Sequence, residues 1–191
     1  MNVDDDLIQW AAHCATSLLS PLGNRWLHVQ GVVERAKEIG GILSQYDRPY
    51  LIAAAYLHDI GYASELQKTG FHPLDGALYL RSLGKERLAS LVAHHSEARF
   101  EAHLRGCEAE LEAFPRERSA VADALTYCDL TTGPMGECVS LQERAKNIST
   151  RYGESDVVTQ ALRQSMPYVA LAIARTKRRL RKYERLMEVI R

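Results

Sequence analysis

The chain has 191 residues, of which 46% are hydrophobic, and this composition allows a buried core and excludes a disordered protein. Lys and Arg number 24, as do Asp and Glu, so the net charge of zero favours neither a nucleic-acid nor a membrane partner. The acidic start, MNVDDDL, is unlike a secretory signal, and no apolar run is long enough to cross a membrane. The four cysteines form no CxxC pair, so we expect reduced thiols in a cytoplasmic protein.

Glycine and proline divide the chain into segments with helical patterns, and sustained apolar–polar alternation is lacking from the sequence. We therefore predict an all-α fold with a single domain over residues 1–191. A looser acidic stretch interrupts the helices at residues 96–115. The predicted helices, in chain order, are 4–19, 24–39, 49–60, 73–83, 86–95, 117–130, 139–151, 155–164 and 167–190.

Five of the seven histidines form an ordered set with two aspartates along the chain. Imidazole and carboxylate are the groups with which proteins bind divalent iron, manganese, cobalt or zinc. Each residue taken alone is explained equally well as a cap, core or surface residue, but the ordered set predicts a metal site. Its members are His28, His58, Asp59, His72, His94, His95 and Asp129.

The predicted helices strengthen this interpretation. The His58-Asp59 doublet ends the most apolar helix of the chain, where a charged carboxylate is costly unless a cation or an arginine neutralises it. His94 and His95 are neighbours on a predicted helix and point about 100° apart, so they are not expected to reach one ion equally well. The choice between these two histidines stays open at this point.

These residues resemble the HD-domain superfamily of metal-dependent phosphohydrolases, whose pattern is His … His-Asp … Asp. The resemblance, of the HDIG type, covers about residues 24–134 and rests on the segments RWLHVQGV, AAAYLHDIGY and ADALTYCDLTTGP. FHPLDGALYL and LVAHHSEAR are similar to the segments that add histidines in binuclear members. The sequence does not carry the glycine-tyrosine-proline segment of the branch that hydrolyses cyclic-di-GMP, which counts against that substrate. The resemblance implies a helical bundle, onto which we expect helices 139–190 to pack.

The resemblance also implies the distribution of ligands over one or two divalent transition-metal ions, such as iron, manganese or cobalt. Asp59 is expected to bridge the two ions, and Asp59 and His95 are the expected catalytic residues. The first ion would take His28, His58, Asp59 and Asp129, and the second would take Asp59, His72 and either His94 or His95.

The implied reaction is hydrolysis of a phosphate ester or anhydride by a metal-activated water. The substrate would be a nucleotide or a small phosphorylated metabolite. Arg25, Lys68 and Arg99 are candidate phosphate contacts, and a solvated surface charge is the alternative for each. Two other functions fit the same ligand order: a mixed-valent di-iron oxygenase of the same superfamily, and a non-catalytic nucleotide-binding or regulatory module.

The last predicted helix combines a heptad-like stripe with seven basic residues between Arg175 and Arg185. We expect the stripe to pack onto the domain, with a homodimer contact as the alternative. Nucleic-acid binding is not expected, because aromatic residues are nearly absent among the basic ones. The stripe consists of Val169, Ile173, Thr176, Leu180, Tyr183, Met187 and Ile190.

Overall fold

A computed structural model of the protein describes residues 3–190, and ten α-helices joined by short 3-10 turns make up most of this range. The chain is 77% helical, which confirms the predicted all-α class. No strand forms within residues 3–190, where an isolated antiparallel bridge joins Thr132 to Cys138. The helices are α1 (Val3–Leu19), α2 (Asn24–Ile39), α3 (Arg48–Leu57), α4 (His72–Ser82), α5 (Glu86–Ala93), α6 (Arg99–Arg105), α7 (Glu108–Glu112), α8 (Ala120–Leu130), α9 (Leu141–Tyr152) and α10 (Val157–Ile190).

Helix α3 lies at the centre of the bundle. It contacts α1, α2, α5 and α8, and seven of its ten residues are buried. Its sequence, RPYLIAAAYL, explains this position, because a helix that is apolar on all sides is stable only when other elements surround it. The His58-Asp59 doublet follows α3 directly, so the central helix delivers a histidine and a carboxylate into the protein interior.

The prediction of a helix break between residues 164 and 167 is wrong. Helix α10 runs from Val157 to Ile190 with Pro167 inside it. A proline in a helix removes one N–H donor and leaves the carbonyl four residues earlier without its partner. Both Pro167 and Arg163, which carries that carbonyl, are exposed, so water can replace the missing donor.

The histidine pair lies outside a helix, contrary to the prediction of a helix over residues 86–95. Helix α5 ends at Ala93, His94 caps it, and His95 begins a short turn. The acidic stretch 96–115 contains the two short helices α6 and α7. Helix α8 begins three residues later than predicted, because the Ser119 side chain accepts a hydrogen bond from a backbone N–H of its first turn.

Helix α10 packs against α6, α8 and α9 with the first half of its stripe. Val169, Ile173 and Thr176 are buried, whereas Tyr183 and Met187 are each 37% exposed. The side chain of Ile190 lies outside the described residues. The homodimer contact through this helix stays a prediction.

Two further features concern the predictions about membrane crossing and about the cysteines. No helix within residues 3–190 combines the length and the apolar character needed to cross a membrane. The four cysteines are free thiols, as their spacing predicts.

Gly31 of α2 packs directly against Gly136 in the loop that follows α8. A Cβ atom at position 31 would lie 2.5 Å from both the Cα and the carbonyl oxygen of Gly136. Alanine normally stabilises a helix interior by about 1 kcal/mol relative to glycine. At position 31 we expect alanine to be destabilising instead, because its side chain would collide with the backbone of Gly136. Forcing extra volume into a packed region costs about 1–3 kcal/mol.

We predict that Gly31→Ala lowers the free energy of unfolding. Gln30→Ala, at the exposed neighbouring position, is the control and should leave that free energy unchanged or slightly raised. Urea unfolding followed by circular dichroism measures both variants. A Gly31→Ala protein more stable than the wild type would show that the loop does not hold this close contact in solution.

Candidate metal centre

The His58-Asp59 doublet meets His72 because two chain segments approach closely at Gly61. A Cβ atom at position 61 would lie 2.0 Å from the carbonyl oxygen of His72, so only glycine allows the turn Ile60–Tyr62 to pack on the start of α4. His72 is the first residue of α4, and its Nε2 lies 3.3 Å from Asp59 Oδ1. Gly61 therefore brings two candidate ligands, Asp59 and His72, together.

Three imidazoles of the cluster are oriented by backbone carbonyl groups. A carbonyl oxygen only accepts hydrogen bonds, so each ring donates from Nδ1, and the neutral form of such a ring carries its lone pair on Nε2. This tautomer is the one that a metal-binding imidazole requires. The Nδ1–carbonyl pairs are His28 with Gly133 at 3.1 Å, His58 with Ala55 at 2.8 Å and His95 with Val92 at 2.6 Å.

Six side chains come together in two adjoining groups. Within each group, one ligand atom from every member lies within 4.8 Å of the others. His58 lies between the groups, with its ring centroid 5.5 Å from that of His28 and 5.4 Å from that of His95. The first group is His28, His58 and Asp129, and the second is Asp59, His72 and His95.

The donor atoms of this cluster fit a bound cation. His58 Nε2 is buried and has no hydrogen-bond partner among the described residues. His28 Nε2, whose ring proton is donated from Nδ1, lies 3.1 Å from Asp129 Oδ1, so a lone pair faces a carboxylate oxygen. Two acceptors this close are unfavourable unless a positive charge lies near both of them, and a bound cation would add to the charge of the nearby Arg144 guanidinium.

The two carboxylates stay ionised although they are buried. Burial by itself would raise the pKa of Asp59, but the Arg25 guanidinium, which donates a hydrogen bond to this carboxylate, holds it well below its usual range. Burial acts on Asp129 in the same way, and positive charge close to the carboxyl, including the Arg144 guanidinium, holds its pKa well below its usual range as well. Metal coordination requires this charged state.

Two imidazoles of the second group are neutral at physiological pH. Burial lowers the pKa of His72 to about 4, although the neighbouring Asp59 acts in the opposite direction. Burial also lowers the pKa of His95, and the adjacent His58 adds to this effect. A neutral imidazole is the form that binds metal, so no proton has to leave these rings before an ion can bind.

Arg25, a predicted phosphate contact, lies at the edge of the cluster. Its Nη1 donates to Asp59 Oδ2 at 2.6 Å, and its guanidinium carbon lies 3.9 Å from the centre of the Tyr62 ring. A cation or an arginine is expected to neutralise the carboxylate of Asp59, and Arg25 is such an arginine. Arg25 also lines a cavity that lies above the cluster.

Three other predicted site residues lie outside the cluster. His94 Nε2 bonds with the carbonyl oxygen of Phe114 at 2.7 Å, so of the two adjacent histidines only His95 points at the other ligands. Lys68 is exposed in the loop before α4. Arg99 forms an ion pair with Glu97 at 3.0 Å and lines a neighbouring cavity of about 640 Å³.

Ser96 is a site residue that the sequence analysis missed. Its hydroxyl donates to Asp129 Oδ2 at 2.5 Å. Ser96 and Glu97 have φ angles of 50° and 61°, a left-handed conformation that is uncommon outside glycine. No local sequence signal marks this pair, because serine and glutamate do not favour such a turn.

Arg144 is the second missed residue. It belongs to α9, whose start is marked by a capping box of Ser140 and Glu143, and it is only 5% exposed. Its Nη2 lies 3.3 Å from His28 Nε2 and 3.5 Å from Asp129 Oδ1. The capping box predicts the helix, but nothing in the sequence shows that this arginine points inward.

A cavity of about 100 Å³ lies over the cluster. On the side of the candidate ligands, the wall of the cavity is formed by Asp59, Asp129, His72 and His95. The opposite side consists mainly of residues from α9 and α10, so the C-terminal helices cover the candidate metal centre. Besides the ligands, the lining includes Arg25, Tyr62, Arg144, Ile148, Arg151 and Leu162.

Comparison with known proteins gives one match. The family model described as the HD domain matches residues 25–131, which is more than half of the chain. No curated protein and no solved structure matches. The matched range contains all six clustered residues, whereas α9 with Arg144 lies beyond it.

We predict that Ser96 positions Asp129, so that Ser96→Ala and Ser96→Gly both weaken the binding of divalent metal by roughly tenfold to a hundredfold. Both variants lose the hydrogen bond, but only glycine relieves the left-handed backbone. Ser96→Gly should therefore be more stable to unfolding than Ser96→Ala by about 1 kcal/mol.

Competition with a chelator measures the metal affinity, and thermal unfolding of the metal-free proteins measures the stability difference. Unchanged metal affinity in both variants would show that Ser96 does not position Asp129 for metal binding. Equal stability of the two variants would instead count against the strained turn.

Proposed function

The chain belongs to the HD domain family, and from this premise we propose that it is a metal-dependent phosphohydrolase that cleaves a phosphate ester or anhydride. The observation that carries the proposal is the buried convergence of imidazole lone pairs and ionised carboxylates around His58 Nε2, an atom without a hydrogen-bond partner among the described residues. This donor set suits divalent iron, manganese or cobalt. Substrate would be a nucleotide or a small phosphorylated metabolite.

We propose that the two groups of ligands hold one ion each. Asp59 is the candidate bridge, because its Oδ2 lies 3.5 Å from His58 Nε2 while its Oδ1 lies 3.3 Å from His72 Nε2. Divalent ions at these positions would lower the pKa of a water so that it serves as nucleophile, and would neutralise phosphoryl charge. Asp129 and His28 complete the first group, and His95 completes the second.

The other residues of the site have supporting roles in this proposal. Arg25 lines the cavity and carries a permanent positive charge, which suits the binding of a phosphoryl oxygen. Lys68, Arg99 and His94 do not line this cavity, so we leave them out of the proposed chemistry. Helices α9 and α10 cover one side of the cavity, and any exclusion of water by this cover would strengthen the charge interactions inside.

We predict that Asp59→Ala and His58→Ala abolish metal binding, because each removes a central ligand. His72→Ala should empty only the second position. Elemental mass spectrometry of the purified, metal-reconstituted proteins should give about two ions per wild-type chain and about one for His72→Ala. The control is His103→Ala, whose histidine is exposed and paired with Glu108.

Full metal occupancy in Asp59→Ala would contradict the assignment of the site. Activity is then tested by phosphate release from a panel of nucleotides and sugar phosphates with iron, manganese or cobalt. Oxygen consumption by the iron form without phosphate release would favour the di-iron oxygenase. Tight nucleotide binding without turnover would favour the non-catalytic module.

A further inference from the structure

Arg144 has unused hydrogen-bonding capacity in the interior. Its side chain is buried, and its Nη2 lies near the cluster, facing His28 and Asp129. Nε and Nη1 are buried and have no hydrogen-bond partner among the described residues. Buried guanidinium donors are rarely left unpaired, so the interior does not fully compensate the charge of Arg144, and the cavity that Arg144 lines is the place where an anion can complete the compensation.

A second arginine faces the same cavity from the opposite end of the cluster. Arg25 pairs with Asp59, whereas Arg144 lies against Asp129, so each candidate ligand carboxylate has its own guanidinium. Both arginines line the cavity above the ligands. An anion in this cavity would therefore meet positive charge from both sides.

The size of the cavity restricts what this anion is. Its volume is about 100 Å³, whereas sites for whole small molecules usually measure about 300–1,000 Å³. Ile148 of α9 and Leu162 of α10 form part of its wall, so apolar side chains limit the space around a charged group. The enclosed space suits one phosphoryl group whose single organic substituent leaves through the open side, which favours a monoester over a diester.

We propose that Arg144, together with Arg25, binds the terminal phosphoryl group of the substrate, and that the substrates are phosphomonoesters, not phosphodiesters. The choice of substrate class rests on the proposed phosphohydrolase function. Arg144 carries its permanent positive charge to the wall of the cavity, where it faces the phosphoryl oxygens, while the rest of the substrate extends outside the cavity. The residue lies outside the range matched by the family model, so this contact is supplied by the C-terminal helices.

Titration calorimetry of the metal-loaded protein with inorganic phosphate tests the anion site directly. Arg144→Gln should weaken phosphate binding by roughly tenfold to a hundredfold, since a hydrogen bond to a charged group is lost. Arg144→Lys, which keeps the charge, should lie between the wild type and Arg144→Gln. Arg163→Gln, at an exposed position on α10, is the matched control and should bind phosphate as the wild type does.

Metal content and thermal unfolding are measured for each variant, because Arg144 also lies near two candidate ligands. We expect unchanged metal content and a folded protein. Equal phosphate affinity in the wild type and Arg144→Gln would overturn the proposal. So would a loss of metal that accounts for the weaker binding, because Arg144 would then act through the ligands.

Turnover separates this inference from the proposed function. The wild-type protein should release p-nitrophenol from p-nitrophenyl phosphate and leave bis(p-nitrophenyl) phosphate intact. Cleavage of the diester alone would overturn the choice of phosphomonoesters but support the phosphohydrolase. Loss of phosphate binding in Arg144→Gln, without cleavage by the wild type of either ester or of any nucleotide or sugar phosphate in the panel, would support the phosphoryl site and contradict the hydrolytic function.

Discussion

The structure depends on keeping two carboxylates charged beside four imidazoles in the interior of a helical bundle. Burial opposes the charged form of Asp59 and Asp129, so positive charge has to lie within a few ångströms of each. Arg25 and Arg144 approach one carboxylate each, and the candidate metal ligands surround both. Helices α2 and α9 carry these two arginines, so their packing on the bundle brings positive charge to both carboxylates.

Helix ends orient the histidines of the cluster. The last carbonyl groups of an α-helix have no partner within the helix. His58 lies three residues beyond Ala55 and His95 three residues beyond Val92, and each ring donates to that earlier carbonyl at the end of α3 or α5. This local arrangement gives a carbonyl group at the helix end a hydrogen-bond donor, and it also points the Nε2 lone pair at the centre of the bundle. It works only where the chain leaves the helix, which is why neither histidine lies within one.

Different parts of the chain supply the candidate metal ligands and the cover of the cavity above them. All six clustered ligands lie within residues 25–131, the range that matches the HD domain. The cover of the cavity comes largely from α9 and α10, beyond that range. Ligands need fixed positions on the central helices, whereas a cover changes the size and charge of the cavity without moving them. Arg144 belongs to the cover and still contacts the ligand group, so it links the two parts.

The sequence by itself predicted the helical class and the ordered set of histidines and aspartates, because helix punctuation is local and residue type alone marks a candidate ligand. Three features needed the tertiary structure. The early end of α5 turns His95 toward the cluster and His94 toward a backbone carbonyl, although the two are adjacent. Pro167 continues a helix because its surroundings are exposed to water. Arg144 contacts His28 across 116 residues, and only the packing of α9 on the bundle decides that its charge points inward, since a local pattern carries no information on such distant neighbours.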